Sequence, residues 1–273
     1  MKKMTNVNFH ITFRCTEVKH AKNFVDKGQI KFGTPQSWVD WELRNGKGRG
    51  DLLEGTVAYC NIFDVEQISK FHQKYSSSET ENLTLGNTIY MKRKRSMNLP
   101  VFCFYILKDE SLKITPKEEK QDIETIIPYS YFRDFADDMS PEQIDKLSEG
   151  DKPAVIIINN FNEFRKRLVT KLLSFGLKED DIIFESVVYN DYHKNGEDGW
   201  GDFLHEQPYE LFSKDESFYN QSEGRVVINT DNESIKKILH EPIDIGSLKD
   251  ISQYITKYFY DGMLIKLNGV STK

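Results

Sequence analysis

Short apolar runs of strand-forming residues are the feature that most constrains this fold. The longest, residues 99–107, is apolar at nearly every successive position. Neighbouring side chains of a strand point to opposite faces of a sheet, so such a run needs cover on both faces. Residues 154–158 and 225–229 are similarly rich in apolar and β-branched side chains. The sequence therefore predicts a sheet buried between other layers.

Helical patterns alternate with these runs. The clearest helix follows Asn160 and ends near Gly176, and its buried stripe is Phe161, Phe164, Leu168, Leu172 and Phe175. The chain opens with a compact unit: a strand over residues 7–15, a helix that begins at Thr16 or Glu17 and ends at Gly28, and a second strand over residues 29–32. A helix over residues 248–259 and a strand over residues 263–267 close the chain.

No internal repeat or low-complexity linker divides the 273 residues. We therefore predict one α+β domain over residues 1–273, a mixed β-sheet core with flanking helices. Polar, charged or aperiodic stretches indicate surface insertions around residues 64–98, 108–153 and 190–207.

Charge and cysteine usage narrow the class of protein. The net charge of −6 provides no global attraction to nucleic acid or to an anionic membrane, so such binding needs a local patch. No stretch approaches the roughly 18 apolar residues of a membrane helix. The three cysteines are widely separated and show no metal-ligand spacing. We expect a cytoplasmic protein without a metal site.

Residues 218–229 carry the most distinctive polar pattern. If the segment is extended, Tyr219, Gln221, Glu223 and Arg225 share one face, with about 7 Å between successive side chains. A solvated strand edge with a surface ion pair is the simpler interpretation from this segment alone. The alternative is a binding or catalytic site.

Two further groups are candidates. In a glycine-rich loop, Asp51 and Glu54 form a candidate acid pair, although a turn and a helix start use the same residues more often. Residues Lys92, Arg93, Lys94 and Arg95 are the one dense basic run. Such a run can bind the phosphates of a nucleic acid, although a solvated loop is its commoner setting.

The opening unit and the late polar strand together resemble a known arrangement. Phe13-Arg14, a helix, Gly28, a short strand and Gly33-Thr34-Pro35 are followed much later by Gln221-Ser222-Glu223-Gly224-Arg225. This order is similar to that of a family of bacterial proteins with an early Tyr-Arg unit and a late Glu-x-Glu-x-Arg strand. It also resembles the ADP-ribosyltransferase fold, in which three strand-borne motifs line one NAD cleft. The middle motif departs from the usual Ser-Thr-Ser or Tyr, so no residue is assigned to stack on the nicotinamide.

The resemblance implies an NAD-dependent ADP-ribosyltransferase that uses NAD as a substrate and needs no metal. It implies Glu223 and Gln221 as catalytic residues, and Arg14, Thr34, Tyr219 and Arg225 as NAD-binding residues. The acceptor would be a macromolecule, with nucleic acid slightly favoured by the basic run. A bacterial toxin or phage-defence effector is the implied setting, with an inhibitor or antitoxin protein as a partner. The alternatives are an NAD glycohydrolase and a non-catalytic nucleic-acid-binding or sensor module.

Overall fold

The computed structural model describes residues 11–45, 50–107, 113–117, 120–135, 139–192, 207–256 and 262–271. Its strands are β1 (Thr12–Glu17), β2 (Gln29–Ile30), β3 (Thr56–Asn61), β4 (Thr80–Leu85), β5 (Thr88–Arg93), β6 (Val101–Ile106), β7 (Lys113–Lys117), β8 (Lys120–Ile127), β9 (Pro153–Ile158), β10 (Ile182–Ser186), β11 (Val188–Asn190), β12 (Ser213–Asp215), β13 (Glu223–Ile228), β14 (Ile243–Asp244), β15 (Ser252–Ile255) and β16 (Met263–Ser271). Its α-helices are α1 (Val18–Lys27), α2 (Pro35–Asn45), α3 (Val65–Lys74), α4 (Lys94–Met97), α5 (Tyr129–Phe135), α6 (Pro141–Asp145), α7 (Phe161–Leu173) and α8 (Glu233–His240). Short 3-10 helices occupy Glu179–Asp181, Tyr209–Phe212 and Glu216–Gln221.

The fold combines α-helices with several antiparallel sheets, as the α+β prediction requires. The largest sheet has six strands in the order β10-β13-β6-β1-β9-β15. Each neighbouring pair in it is antiparallel, so the expectation of a mixed central sheet is wrong. The short pair β11–β12 is parallel and lies outside this sheet.

The predicted buried runs form the middle of the large sheet. Residues 99–107 contribute β6, residues 154–158 contribute β9, and residues 225–229 contribute most of β13. One face of the sheet packs with α1 and α7 in the largest apolar cluster, where Phe102, Phe164 and Val226 are almost fully buried. The other face carries Phe13 and Tyr105 beneath α5. The sheet therefore has the cover on both faces that its sequence demands.

The sheet separates between β1 and β6. Strand β1 pairs with β9 from Thr12 to Glu17, whereas its pairing with β6 is limited to Thr12 and Phe13. Beyond Phe13 the backbones of β1 and β6 are no longer paired in the described residues. The Arg14 guanidinium reaches across this gap and donates a hydrogen bond to the Cys103 carbonyl of β6. The gap places Arg14 beside the strand that neighbours β13.

The opening unit has the predicted order. Helix α1 begins at Val18 and ends before Gly28, whose φ of 66° is the left-handed conformation that favours glycine at a helix end. The following strand is shorter than predicted, and β2 pairs with β14 rather than joining the large sheet. Residues 7–10 of the predicted first strand lie outside the described residues.

Other segments correct the sequence-based expectations. Residues 35–45 form helix α2, which the sequence analysis did not predict. The predicted helix over residues 248–259 is wrong, because its central part is the edge strand β15. The region 64–98 contains α3, α4 and two strands of the sheet β3-β5-β4, and its being an insertion stays a prediction. Residues 193–206 of the predicted long loop lie outside the described residues. None of the helices formed by described residues is long and apolar enough to cross a bilayer.

Candidate functional site

A cavity of about 660 Å³ lies at the gap between β1 and β6. Arg14 of β1 and Glu223 of β13 both line it, although more than two hundred residues separate them in the chain. The early and late motifs therefore share one cleft, as the sequence hypothesis requires. A cavity of this size is in the range that small-molecule sites usually have.

Glu223 begins β13 and is held by two cations. One carboxylate oxygen accepts a hydrogen bond from Lys214 Nζ at 2.9 Å, and the other accepts one from Arg225 Nε at 2.8 Å. Its backbone N–H donates to the Tyr189 hydroxyl at 2.9 Å. Burial disfavours the charged carboxylate, but Arg225 and Lys214 outweigh burial and lower the pKa of Glu223 to about 2. The carboxylate is therefore ionised and fixed in the cavity wall at neutral pH.

Arg225 holds the network together from within the core. Its side chain is 1% exposed, and it forms a two-point ion pair with Glu54 with N–O distances of 2.5 and 2.9 Å. The same guanidinium also donates to the Leu211 carbonyl at 2.6 Å. Because these bonds and the one to Glu223 occupy the guanidinium fork, Arg225 positions Glu223. Arg225 also lines the cavity, so direct binding of the cofactor by Arg225 stays a prediction.

Asp51 and Glu54 come together as the sequence allowed, in a buried turn that also lines the cavity. Asp51 Oδ1 accepts a hydrogen bond from the Leu53 backbone N–H at 2.9 Å. Asp51 therefore has the role in a turn that the sequence analysis gave as the alternative. Asp51 Oδ2 has no hydrogen-bond partner among the described residues, and Lys214 Nζ is 3.9 Å from it. Burial raises the pKa of Asp51 to about 7, with Lys214 opposing and Glu54 adding to that increase.

Gln221 and Glu223 meet at Lys214, but not as neighbours on one extended strand. Residues Glu216–Gln221 form a 3-10 helix, so the predicted row of four side chains along one strand is wrong. Ser222 then adopts φ 41°, a left-handed conformation that is uncommon for a residue with a side chain. After this turn, Lys214 Nζ donates to the Gln221 side-chain oxygen at 2.7 Å and to Glu223. The amide and the carboxylate are thus joined by a lysine.

Two predicted cofactor-binding residues are not brought to the cavity. Thr34 is absent from the described residues that line it, and the Thr34 hydroxyl accepts from the Ser37 backbone N–H at 3.2 Å at the start of α2. Tyr219 is about half exposed and packs edge-on against Tyr189, with ring centroids 5.5 Å apart. Thr34 therefore caps a helix, and Tyr219 lies outside the cavity.

The basic run does not form a continuous exposed surface. Lys92 is 2% exposed and donates to the Leu52 carbonyl at 2.7 Å, and Arg93 is paired with buried Glu210. Arg95 is more exposed, but it pairs with Asp231 at 2.7 Å. Two of the four side chains thus bind internal partners because they lie on β5 and point into the protein. The structural basis for favouring a nucleic-acid acceptor is lost with them.

Lys214 and Trp38 belong to the site and were missed by sequence analysis. Lys214 lies on the short strand β12 and is followed by polar residues. No local sequence pattern marks it as a site residue. Although burial disfavours its charge, Glu223 and Asp51 raise the pKa of Lys214. Trp38 lies on α2, lines the cavity, and has its ring 5.5 Å from the Arg225 guanidinium carbon. The density of aromatic residues around Trp38 was the available signal.

The cavity lining carries both acidic and basic side chains. Three carboxyl groups and two buried cations form the cluster around Glu223, so acids outnumber bases there. The lining also contains the cationic or protonatable side chains Arg14, Lys19, His20 and Lys31, of which Lys19 pairs with Asp151 and His20 with Glu17. Arg14 lies over the Phe102 ring at 4.3 Å, and this contact helps to fix its position in the cavity wall. A ligand with an anionic portion and a cationic portion complements this arrangement.

Cys103 also lines the cavity, but burial raises the pKa of its thiol to about 12. A thiol with that pKa stays protonated and is a poor nucleophile. Among the residues that the structure describes, no group of three or more His, Cys, Asp and Glu side chains is arranged to bind a metal ion.

Comparisons of the chain with models of protein families, with curated proteins and with solved structures gave no significant match.

Proposed function

We propose that this protein cleaves the nicotinamide–ribose bond of NAD and transfers ADP-ribose to a macromolecular acceptor, with an ADP-ribosyltransferase-like arrangement of its strands. The observation that supports this proposal best is the cavity that Arg14, from the first strand, shares with Glu223, at the start of a late strand, and with Gln221, at the end of the 3-10 helix before it. These are the first and third motifs of the resemblance. The second motif has no counterpart at Thr34, and Trp38 is the nearby aromatic residue of the cavity.

The charges fit the chemistry. Loss of nicotinamide builds positive charge on the ribose, as in glycoside cleavage. An ionised carboxylate fixed beside that carbon stabilises the developing charge without reorganising. Glu223 satisfies this requirement because Lys214 and Arg225 hold both of its oxygens and keep it ionised. Arg14 and Lys31, which also line the cavity, complement the pyrophosphate of NAD.

Each polar group has a defined task in this proposal. Glu223 stabilises the ribosyl cation, and Gln221 orients the incoming nucleophile. Arg14 binds the pyrophosphate or a ribose hydroxyl. Arg225, with Glu54, positions Glu223. The acceptor is a macromolecule of undefined class, because the basic run that favoured nucleic acid is largely internal. The toxin or defence setting, with an inhibitor protein, is what the resemblance implies.

The test is nicotinamide release from NAD by the purified protein, with and without cell lysate. Glu223→Gln keeps the size of the side chain but removes the charge, and we expect activity to fall at least about a hundredfold. Glu185→Gln is the matched control. Glu185 lies on β10 directly opposite Arg225 of β13, but it is not part of the Lys214 network. Gln221→Ala should lose transfer to the acceptor while retaining part of the NAD hydrolysis.

Three results would contradict the proposal. The first is a wild-type protein that neither binds NAD in calorimetry nor releases nicotinamide. The second is full turnover by folded Glu223→Gln. The third is an equal loss of activity in Glu185→Gln, which would show that the assay reports on fold rather than on this carboxylate.

A further inference from the structure

Asp51 is a buried carboxyl group whose hydrogen-bonding capacity is half used. The residue is 3% exposed and lines the same cavity as Glu223. Its Oδ1 atom is engaged by the Leu53 backbone, whereas Oδ2 has no hydrogen-bond partner among the described residues. Buried polar atoms in proteins nearly always have a partner, so an exception in a cavity wall points to a ligand atom.

Asp51 is placed next to the group that orients the nucleophile. Lys214 Nζ is 3.9 Å from Asp51 Oδ2, 2.9 Å from Glu223 and 2.7 Å from the Gln221 oxygen. One ammonium group therefore connects the cation-stabilising carboxylate, the orienting amide and the unpartnered carboxyl group. Asp51 and Gln221 line the same cavity, but Oδ2 itself is enclosed, so the Asp51 side chain must turn toward the cavity to meet an acceptor beside Gln221.

Resting on the function proposed above, we propose that Asp51 is the general base that removes the proton of the attacking nucleophile. The bond from the ribose carbon to the nicotinamide nitrogen breaks, and its electron pair goes to nicotinamide. A new bond forms from that carbon to the acceptor oxygen or nitrogen, and the acceptor proton moves to Asp51 Oδ2. The acceptor is thus a neutral O–H or N–H group, because a carboxylate acceptor would have no proton to give.

The surroundings of Asp51 make its protonation sensitive to pH near neutrality. The charged and titratable groups that face it or its turn come from four other elements as well as its own: Lys214 of β12, Glu223 and Arg225 of β13, Lys92 of β5, Glu42 of α2 and Glu54 of the same turn. Burial and Glu54 favour the protonated carboxyl, while Lys214 and Arg225 favour the carboxylate. Glu223 stays ionised at neutral pH, so it does not replace Asp51 as the titrating group.

The experiment measures nicotinamide release from NAD in water and in sodium azide, for the wild type, Asp51→Asn and the exposed control Asp180→Asn. Asparagine keeps an oxygen for the Leu53 N–H, so the turn is preserved. We expect Asp51→Asn to lower hydrolysis about a hundredfold or more at pH 8. Azide needs no base because it has no proton to lose, so it should restore release by at least tenfold and give ADP-ribosyl azide by mass spectrometry. Azide should change the rate of nicotinamide release by the wild type and by Asp180→Asn only a little.

The wild-type pH profile is a second measurement that needs no variant. Hydrolysis should fall with decreasing pH below about 7, where the carboxylate of Asp51 becomes protonated. Wild-type activity in Asp51→Asn, a slow Asp51→Asn variant that azide does not rescue, or a profile that is flat from pH 5 to 8 would overturn the role of Asp51 alone. A wild type that neither binds nor cleaves NAD would overturn the proposed function and this inference together.

Discussion

Substitution of Glu223 by glutamine should cost stability as well as activity. A carboxylate at an exposed cleft edge contributes little to folding, but the Glu223 side chain is 12% exposed and bonded to two buried cations. Its pKa is lowered from 4.5 to about 2, because Arg225 and Lys214 outweigh the effect of burial. That difference corresponds to about 3 kcal/mol of stability.

The sign follows from the direction of the shift. Because the pKa of Glu223 is lower in the folded protein, the contribution is fully present above about pH 4.5 and is lost as the pH falls toward 2. At pH 7, Glu223→Gln should therefore reduce the free energy of unfolding by about 3 kcal/mol. For a chain of this size the melting temperature should fall by roughly 6–12 °C.

Thermal and urea unfolding of the wild type and Glu223→Gln at pH 7 measure this effect. Glu185→Gln should leave stability nearly unchanged, because burial raises the pKa of Glu185 and its charge does not stabilise the fold. The stability difference for Glu223→Gln should also shrink as the pH falls below 4.5. A Glu223→Gln protein that melts within about 2 °C of the wild type at pH 7 would refute the argument that these ion pairs stabilise the fold.

Other substitutions test the remaining contacts. Asp51→Asn should raise the free energy of unfolding by up to about 4 kcal/mol at pH 8 and by clearly less at pH 5, because the pKa of Asp51 is raised from 3.8 to about 7 and the cost of its charge grows between those pH values; equal changes at both pH values would contradict this. Arg14→Ala should weaken NAD binding at least about tenfold with little change in melting temperature, and calorimetry that finds an unchanged Kd would remove Arg14 from the site. Arg93→Ala should destabilise the protein by about 3 kcal/mol or more in urea unfolding, because it leaves Glu210 buried without its ion pair, and a stable variant with weaker nucleic-acid binding would restore the surface interpretation. Gly224→Ala should also destabilise, by about 1–3 kcal/mol, because a Cβ there would lie 2.5 Å from the Phe104 ring; unchanged urea unfolding would show that the ring moves aside.

The sequence by itself determined the elements that depend on local patterns. The apolar run at residues 99–107 required a strand covered on both faces, and the stripe that begins at Phe161 required a buried helix. Gly28 marked a helix end, which the structure has at that position. These signals are short-range, because side-chain alternation and helix caps depend on residues within a few positions of each other.

Only the tertiary structure decided the composition of the site. Lys214 became its centre because β12 passes beside the end of β13, and Asp51 and Glu54 joined it from a turn more than 150 residues away. The left-handed turn at Ser222 replaced the predicted row of four side chains with a pair that meets at one lysine. The fate of charged side chains was likewise a matter of packing, since Lys92 and Arg93 are successive residues of β5 and distant segments cover both of its faces there. Burial and ion pairing depend on which distant segments meet, and a local pattern holds no information about those contacts.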